Sequence, residues 1–236
     1  MKHLVPLLLL VIPLGCNHQP VAVAPAPLAA SEAAFDAQIA AVRAGRENAI
    51  LVEQSPLTDD DLARLAGLDN LSTLCIDHPD SRITPAGLAR LAALPKLEHL
   101  RIRSPGIGDD ALESVLKLKR LKILNLPRAE FTDAGLARLH ELPKLDLLRF
   151  GSSHVTDAGL ESLLSFPSLQ RLHLIDVPIT DAGLAKLSEI ENLQSLYIDG
   201  GNISDAAWDE LFSRRPKMHV HINQQHHDRD PNKHAH

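Results

Sequence analysis

The sequence predicts an α/β solenoid, with short parallel strands lining a concave face and short helices on the convex face. Three observations carry that prediction. Nearly the same segment recurs at one spacing: TDAGLARLHELPKLDLLRF opens at Thr132, TDAGLESLLSFPSLQRLHL at Thr156 and TDAGLAKLSEIENLQSLYI at Thr180, twenty-four residues apart. A fixed period of this length is the signature of stacked repeats. Each segment also divides into a helical half and an extended half. Finally, hydrophobic residues make up 44 % of the chain but aromatics only 3 %, which suits many small, equivalent packing sites better than one irregular core.

The repeat extends both ways from its clearest copies. Gly108 and Ser204 hold the Thr position at the same spacing, Thr84 lies twenty-four residues before Gly108, and Thr58 fits after a two-residue insertion around HPDS. In each unit the Thr or its equivalent is placed to cap a helix, and Asp133, Asp157, Asp181 and Asp205 put negative charge in the first turn, where the helix dipole favours it. Leu136 and Leu139 share a helical face, and Pro143 stops the helix as Pro95 and Pro167 do elsewhere. The extended half, Leu145-x-x-Leu148-x-Phe150, alternates inward residues. The equivalent inward pairs are Ile50/Val52, Leu74/Ile76, Leu100/Ile102, Leu124/Leu126, Leu172/Leu174, Leu196/Ile198 and Val220/Ile222, giving eight strands. One unit exposes apolar flanks above and below, so stacking is what buries its leucines. Gly87, Gly135, Gly159 and Gly183 fall at one helix position, where neighbouring backbones are expected to approach closely.

The ends should depart from the repeat. SEAAFDAQIAAVRAGR reads as a capping helix over residues 31–46, with Ser31 as N-cap, Phe35, Ile39 and Val42 on one face, and Gly45 as the stop. At the other end Trp208 replaces a repeat leucine and RRPK replaces the apolar turn, so Trp208 is expected to be a capping core residue. Residues 47–224 form the repeat domain on this reading, and 225–236 a His-rich disordered tail.

The pattern L-x-x-L-x-L/I followed by T-D-x-G-L resembles the leucine-rich repeat family, in the form common in bacterial exported proteins. The resemblance covers about three quarters of the chain. It implies a leucine-rich repeat solenoid serving as a scaffold for recognition and no enzymatic activity. The asparagine that many members place after the strand is absent here, so no asparagine ladder is expected.

The N-terminus, MKHLVPLLLLVIPLGCNHQ, has a short region carrying Lys2, then an apolar run from Leu4 to Leu14, too short for a membrane-spanning helix. Gly15 before Cys16 resembles the lipobox of bacterial lipoproteins, though Pro13 stands where that family favours leucine. The resemblance implies a signal peptide over 1–15, lipidation of Cys16 and a Pro/Ala-rich tether over 16–30, anchoring the chain to the cell envelope outside the cytoplasm. Plain secretion and an uncleaved anchor are the alternatives. If Cys16 carries lipid, Cys75 has no partner for a disulfide.

A net charge of −6 and a pI near 6.1 argue against nucleic acid as partner. HELPK at His140 lacks the second histidine of a zincin, and no Gly-rich phosphate loop, nucleophile elbow or C-x-x-C is present, so neither catalytic residues nor a cofactor is expected. Function is expected instead on residues alternating with the buried pairs. One column runs Leu51, Cys75, Arg101, Asn125, Arg149, His173, Tyr197 and His221; the other runs Ala49, Thr73, His99, Ile123, Leu147, Arg171, Ser195 and His219. Together they hold three arginines, no acid, and four histidines where fewer than one would fall by chance from thirteen in the chain.

Arg101, Arg149 and Arg171 offer forked donors for carboxylate or phosphate. Asn125, His99 and His173 add polar contacts, Ile123 and Leu147 an apolar patch, and Tyr197 an aromatic anchor. Eight strands at ~4.8 Å give a strip on the order of 35 Å, enough for an extended peptide of about ten residues. Glu98 and Asp146 flank the strip as candidate partners for Arg101 and Arg149. The leading expectation is a protein- or peptide-binding module. A structural envelope protein acting by self-association or cell-wall contact is the alternative. A metal-handling role rests on the His-rich end alone, which shows no fixed ligand spacing, so no metal ligand is assigned.

Overall fold

The computed structural model describes residues 28–226. The proposed signal peptide, Cys16 and most of the tether lie outside the described residues, as do positions 227–236. Helix α1 (Leu28–Arg43) is followed by seven strand–helix turns and an eighth strand: β1 (Ala49–Val52), α2 (Asp59–Ala63), β2 (Thr73–Ile76), α3 (Pro85–Leu91), β3 (His99–Ile102), α4 (Asp109–Val115), β4 (Ile123–Leu126), α5 (Asp133–Arg138), β5 (Leu147–Phe150), α6 (Asp157–Leu160), β6 (Arg171–Ile175), α7 (Asp181–Ser188), β7 (Ser195–Asp199), α8 (Asp205–Arg214) and β8 (His219–Ile222). A ninth strand, β9 (Gln225–His226), turns back on β8. The nine strands form one sheet in chain order; β1 to β8 pair in parallel and β9 pairs antiparallel. Helices α5 and α6 continue as single 3₁₀ turns, Leu139–Glu141 and Glu161–Ser165, before the prolines that end them.

The register matches the sequence frame at every step. Leu51 aligns with Cys75, Cys75 with Arg101, Arg101 with Asn125, and so on to Tyr197 with His221. The inward pairs are sealed except the last, where Val220 is buried and Ile222 only partly so: Leu74, Ile76, Leu100, Ile102, Leu124, Leu126, Leu148, Phe150, Leu172 and Leu174 are all 0 % exposed. The unit beginning at Thr132 buries Leu136, Leu139, Leu142, Leu145, Leu148, Phe150 and Val155, each to 1 % exposure or less. Burying one such side chain contributes ~2 kcal/mol, and only a stacked neighbour makes it possible.

Polar groups join the turns more specifically than helix capping alone requires. Thr84, Thr132, Thr156 and Thr180 each accept through Oγ from a backbone N–H two residues on, whereas the Thr58 hydroxyl donates to Asp61. The aspartate after the Thr reaches forward to the next turn. Asp59, Asp109, Asp133, Asp157 and Asp181 each accept two bonds, from the backbone N–H and the hydroxyl of Thr84, Thr132, Thr156, Thr180 and Ser204 respectively, at 2.5–2.9 Å. This ladder stands in for the missing asparagines, assisted by buried Ser81, Ser104 and Ser152, which bond backbone groups of the preceding loop.

The ladder also gives the recurrent glycines their reason. The expected close approach is not mainly between backbones: a Cβ on Gly87, Gly135, Gly159 or Gly183 would overlap the carboxylate of the previous turn's aspartate. Where the aspartate is missing, the other two residues change with it. Pro85 replaces Asp, and in the next turn Gly108 replaces Thr while Ala111 replaces Gly. In the last turn Ala207 stands at the glycine position although Asp181 keeps both bonds. There the cap is rotated: Ser204 has ψ 156° and its Oγ accepts from Ala207 N, three residues on, whereas Thr156 has ψ 173°. Among the described residues no further helix packs outside α8 to prevent that adjustment.

Both sheet edges are occupied, as aggregation-resistant sheets require. Helix α1 begins at Leu28, so Ser31 lies inside it rather than capping it; Gly45, at φ 69°, ends it as expected. Phe35, Ile39 and Val42 are buried. Gln38 lays its amide along β1, donating to Leu51 O at 3.0 Å and accepting from Leu51 N at 2.7 Å, as a neighbouring strand would. At the far end Trp208 is buried as anticipated. Arg215, from the RRPK segment, donates to the carbonyls of Ser188, Ile190, Glu191 and Leu193. β9 then covers the β8 edge, so Gln225 and His226, which the sequence reading places in the tail, belong to the sheet.

Candidate functional site

All nine residues singled out for recognition lie on the concave side of the sheet. His99, Ile123, Leu147 and Arg171 occupy one column, and Arg101, Asn125, Arg149, His173 and Tyr197 the other, in continuous register. Eight of them are half-buried; Asn125 is buried, at 7 % exposure. The reason is its position in register between Arg101 and Arg149, whose long side chains stand on either side. Its Oδ1 is buried and has no donor among the described residues.

The arginines are not a bare cationic row. A third column, one residue past each inward pair, runs Glu53, Asp77, Arg103, Pro127, Gly151, Ile175, Asp199 and Asn223. Arg101 donates to Asp77 at 2.6 Å, not to Glu98. Glu98 takes Arg120 and Lys122 instead, which hold its carboxyl below the usual range. Asp146 pairs with Arg171 rather than Arg149. The two-column sequence reading misses Asp77 and gives Glu98 and Asp146 the wrong partners, because long side chains reach diagonally to a third column and to the preceding turn. Each paired guanidinium still has further N–H donors to offer.

His173 donates from Nε2 to Asp199 Oδ2 at 2.9 Å. Burial nonetheless lowers its pKa below the ordinary value; the Asp199 bond and charge oppose the shift, and Arg149 adds to it. His99 is also lowered, by burial first and then by Arg101. Both imidazoles are therefore neutral near pH 7. Cys75 lies 3.8 Å from His99 Nε2, and burial raises its thiol to about 11, so it is held protonated.

Towards the C-terminal end the strip becomes aromatic. Tyr197 stacks on His221 at 4.5 Å between centroids and lies 5.4 Å from His173 and 5.8 Å from His219. Ile123 and Leu147, side by side in register, form the apolar patch. Among the described residues, His219, His221 and His226 form the grouping whose ligand atoms converge as a metal site would need. Among the described residues no helix is long and apolar enough to cross a membrane.

No protein-family model and no curated protein sequence matches the chain. Solved structures do. An internalin of Listeria monocytogenes, internalin F, superposes with a TM-score of 0.56 at 18 % identity, covering 78 % of this chain and 49 % of its own. Internalin C2 of the same organism gives 0.53 at 22 % identity, covering 80 % and 84 %. The chain thus spans about half the length of the first and most of the second. Together with the register and the repeated turn, these likenesses define the fold as an α/β leucine-rich repeat solenoid.

Proposed function

We propose that the protein is a non-enzymatic recognition module that takes an extended protein or peptide segment along its concave face. On this reading it is displayed outside the cytoplasm by a lipid on Cys16. The observation that carries the proposal is Asn125: a buried amide oxygen with no donor among the described residues, set at the middle of the strip between two arginines. Leaving such a group unsatisfied costs about 1–3 kcal/mol, which a ligand N–H recovers once the flanking Arg101 and Arg149 side chains swing aside to admit it. Around it the remaining donors of Arg101, Arg149 and Arg171 meet ligand carbonyls or carboxylates. Ile123 and Leu147 take an apolar side chain, and Tyr197 offers a ring face. The filled sheet edges, Gln38 on β1 and β9 on β8, weigh against end-to-end self-association as the main role.

Asn125→Leu separates folding from recognition. Removing an unsatisfied buried polar atom should leave the unfolding free energy unchanged or raise it by about 1 kcal/mol, while capture of a partner from envelope extract is lost. The Arg101→Ala, Arg149→Ala, Arg171→Ala triple variant should lose capture as well, and a Lys119→Ala, Lys144→Ala variant, in the turns between helix and strand and outside both columns, should keep it. Capture that survives both concave variants would remove the strip from consideration.

A further inference from the structure

We propose that His219, His221 and His226 form a binding site for a late first-row divalent cation, zinc or copper(II). The proposal is independent of peptide recognition. The three histidines come together through the hairpin that closes the sheet. Asn223 and Gln224, at φ 48° and 65°, make a turn with both central residues left-handed, the type whose twist suits a two-residue hairpin. Three bonds hold that turn on the preceding repeat. Asn223 N donates to Ile198 O, Gly200 N donates to Asn223 Oδ1, and Gln224 N donates to Asp199 Oδ1, at 3.0, 3.0 and 3.1 Å. The register then sets His226 opposite His221, and strand alternation puts His219 on the same face as His221.

The rings cluster with centroids 4.7 Å apart for His219 and His221, 5.1 Å for His219 and His226, and 4.0 Å for His221 and His226. One nitrogen from each lies within 4.8 Å of the others, and the Nε2 atoms of His219 and His221 are 2.9 Å apart. Two imidazole lone pairs cannot face each other at that distance. A proton must lie between them, and a cation can take its place. With Zn–N bonds of 2.0–2.1 Å in tetrahedral geometry, ligand nitrogens stand ~3.3 Å apart. The closest pair must open by about 0.4 Å and the widest close by about 1.5 Å, within reach of ring rotation. Three neutral imidazoles suit zinc and copper(II), and leave a further coordination position for water or a ligand group. The cluster adjoins Tyr197, so a cation there would also add positive charge to the end of the recognition strip.

Sequence spacing hides this site because His226 joins the pair only across the turn. The test must separate the cluster from His227, His234 and His236, which follow it in sequence. Two forms of the full chain are compared by equilibrium dialysis with Zn²⁺. One carries His227→Gln, His234→Gln and His236→Gln; the other carries His221→Gln and His226→Gln with the later histidines intact. The expected result is one tightly held zinc per chain in the first form and none in the second, with Co²⁺ giving a tetrahedral visible band only in the first. His226→Gln alone, in a two-residue strand outside the repeat core, should weaken retention without altering the circular dichroism. Zinc held by the second form as well as by the first, or by neither, would overturn the proposal.

Discussion

Replacing Gly159 by alanine should destabilise the solenoid, although alanine is the better helix former. The added Cβ would lie 2.9 Å from the Asp133 Cβ and overlap its carboxylate, which holds Thr156 through bonds of 2.7 Å from both N–H and hydroxyl. If both bonds are lost, about 2 kcal/mol goes with them, taking a partly exposed, charge-assisted pair at the low end of the usual range. The helix propensity gain returns at most ~1 kcal/mol, leaving a net loss of about 1–2 kcal/mol. In an Asp133→Ala background the carboxylate is gone, and Gly159→Ala should be neutral or stabilising. The double-mutant cycle, measured by urea denaturation, should therefore give a coupling of about 2 kcal/mol between positions 133 and 159. The chain makes the same exchange itself, with Ala111 after Pro85. The relief that Ala207 finds by rotating its cap is closed to Gly159, because α7 packs on α6. A coupling near zero would mean that the glycines do not exist to admit the aspartates, and the ladder would lose its place in the account.

Three further outcomes follow from named contacts. Arg215→Met removes a donor from four carbonyls, of which Ile190 O keeps the Leu193 N–H, and should cost about 2–4 kcal/mol, with hydrogen exchange rising first over residues 188–193; uniform exchange would contradict a capping role. Acidification should destabilise the protein below the ordinary histidine pKa of ~6.5. His173 and His99 have lowered folded pKa values, so the stability they confer is complete above that pH and fades as pH falls through the folded values; His173→Gln should flatten part of the slope between pH 7.5 and 5.5 in thermal melts. With a thiol at about 11, Cys75 should be on the order of 0.1 % ionised at pH 8, so peptide mapping should find alkylation by iodoacetamide slow until denaturant is added.

The fold was legible because each leucine answers to a period. A one-residue error would have put Leu148 and Leu172 in water, and both are fully buried. The concave positions of Arg101, Asn125 and His173 followed from the same alternation. What a linear reading could not supply were contacts made between turns. Asp133 was read as a charge at its own helix start, yet its carboxylate bonds Thr156 in the next turn. Glu98 and Asp146 were assigned by sequence proximity, whereas Arg101 reaches Asp77 and Arg171 takes Asp146. Gln38 could not be seen as a substitute strand, nor His226 as a partner of His221, because both depend on how the chain ends close over the sheet. Asn125 was named as one polar residue among several; its burial arises only when Arg101 and Arg149 stand beside it.

The most direct measurement is site-specific photocrosslinking. A photoreactive side chain is placed at Leu147, half-buried in the concave strip, or at Leu164, 43 % exposed and outside it. Each form is irradiated in envelope extract. A discrete adduct from position 147, lost when Asn125→Leu is added, with no such adduct from position 164, is the predicted result. Adduct formation from 164 alone, or from 147 undiminished by the Asn125 change, would contradict recognition through the concave face.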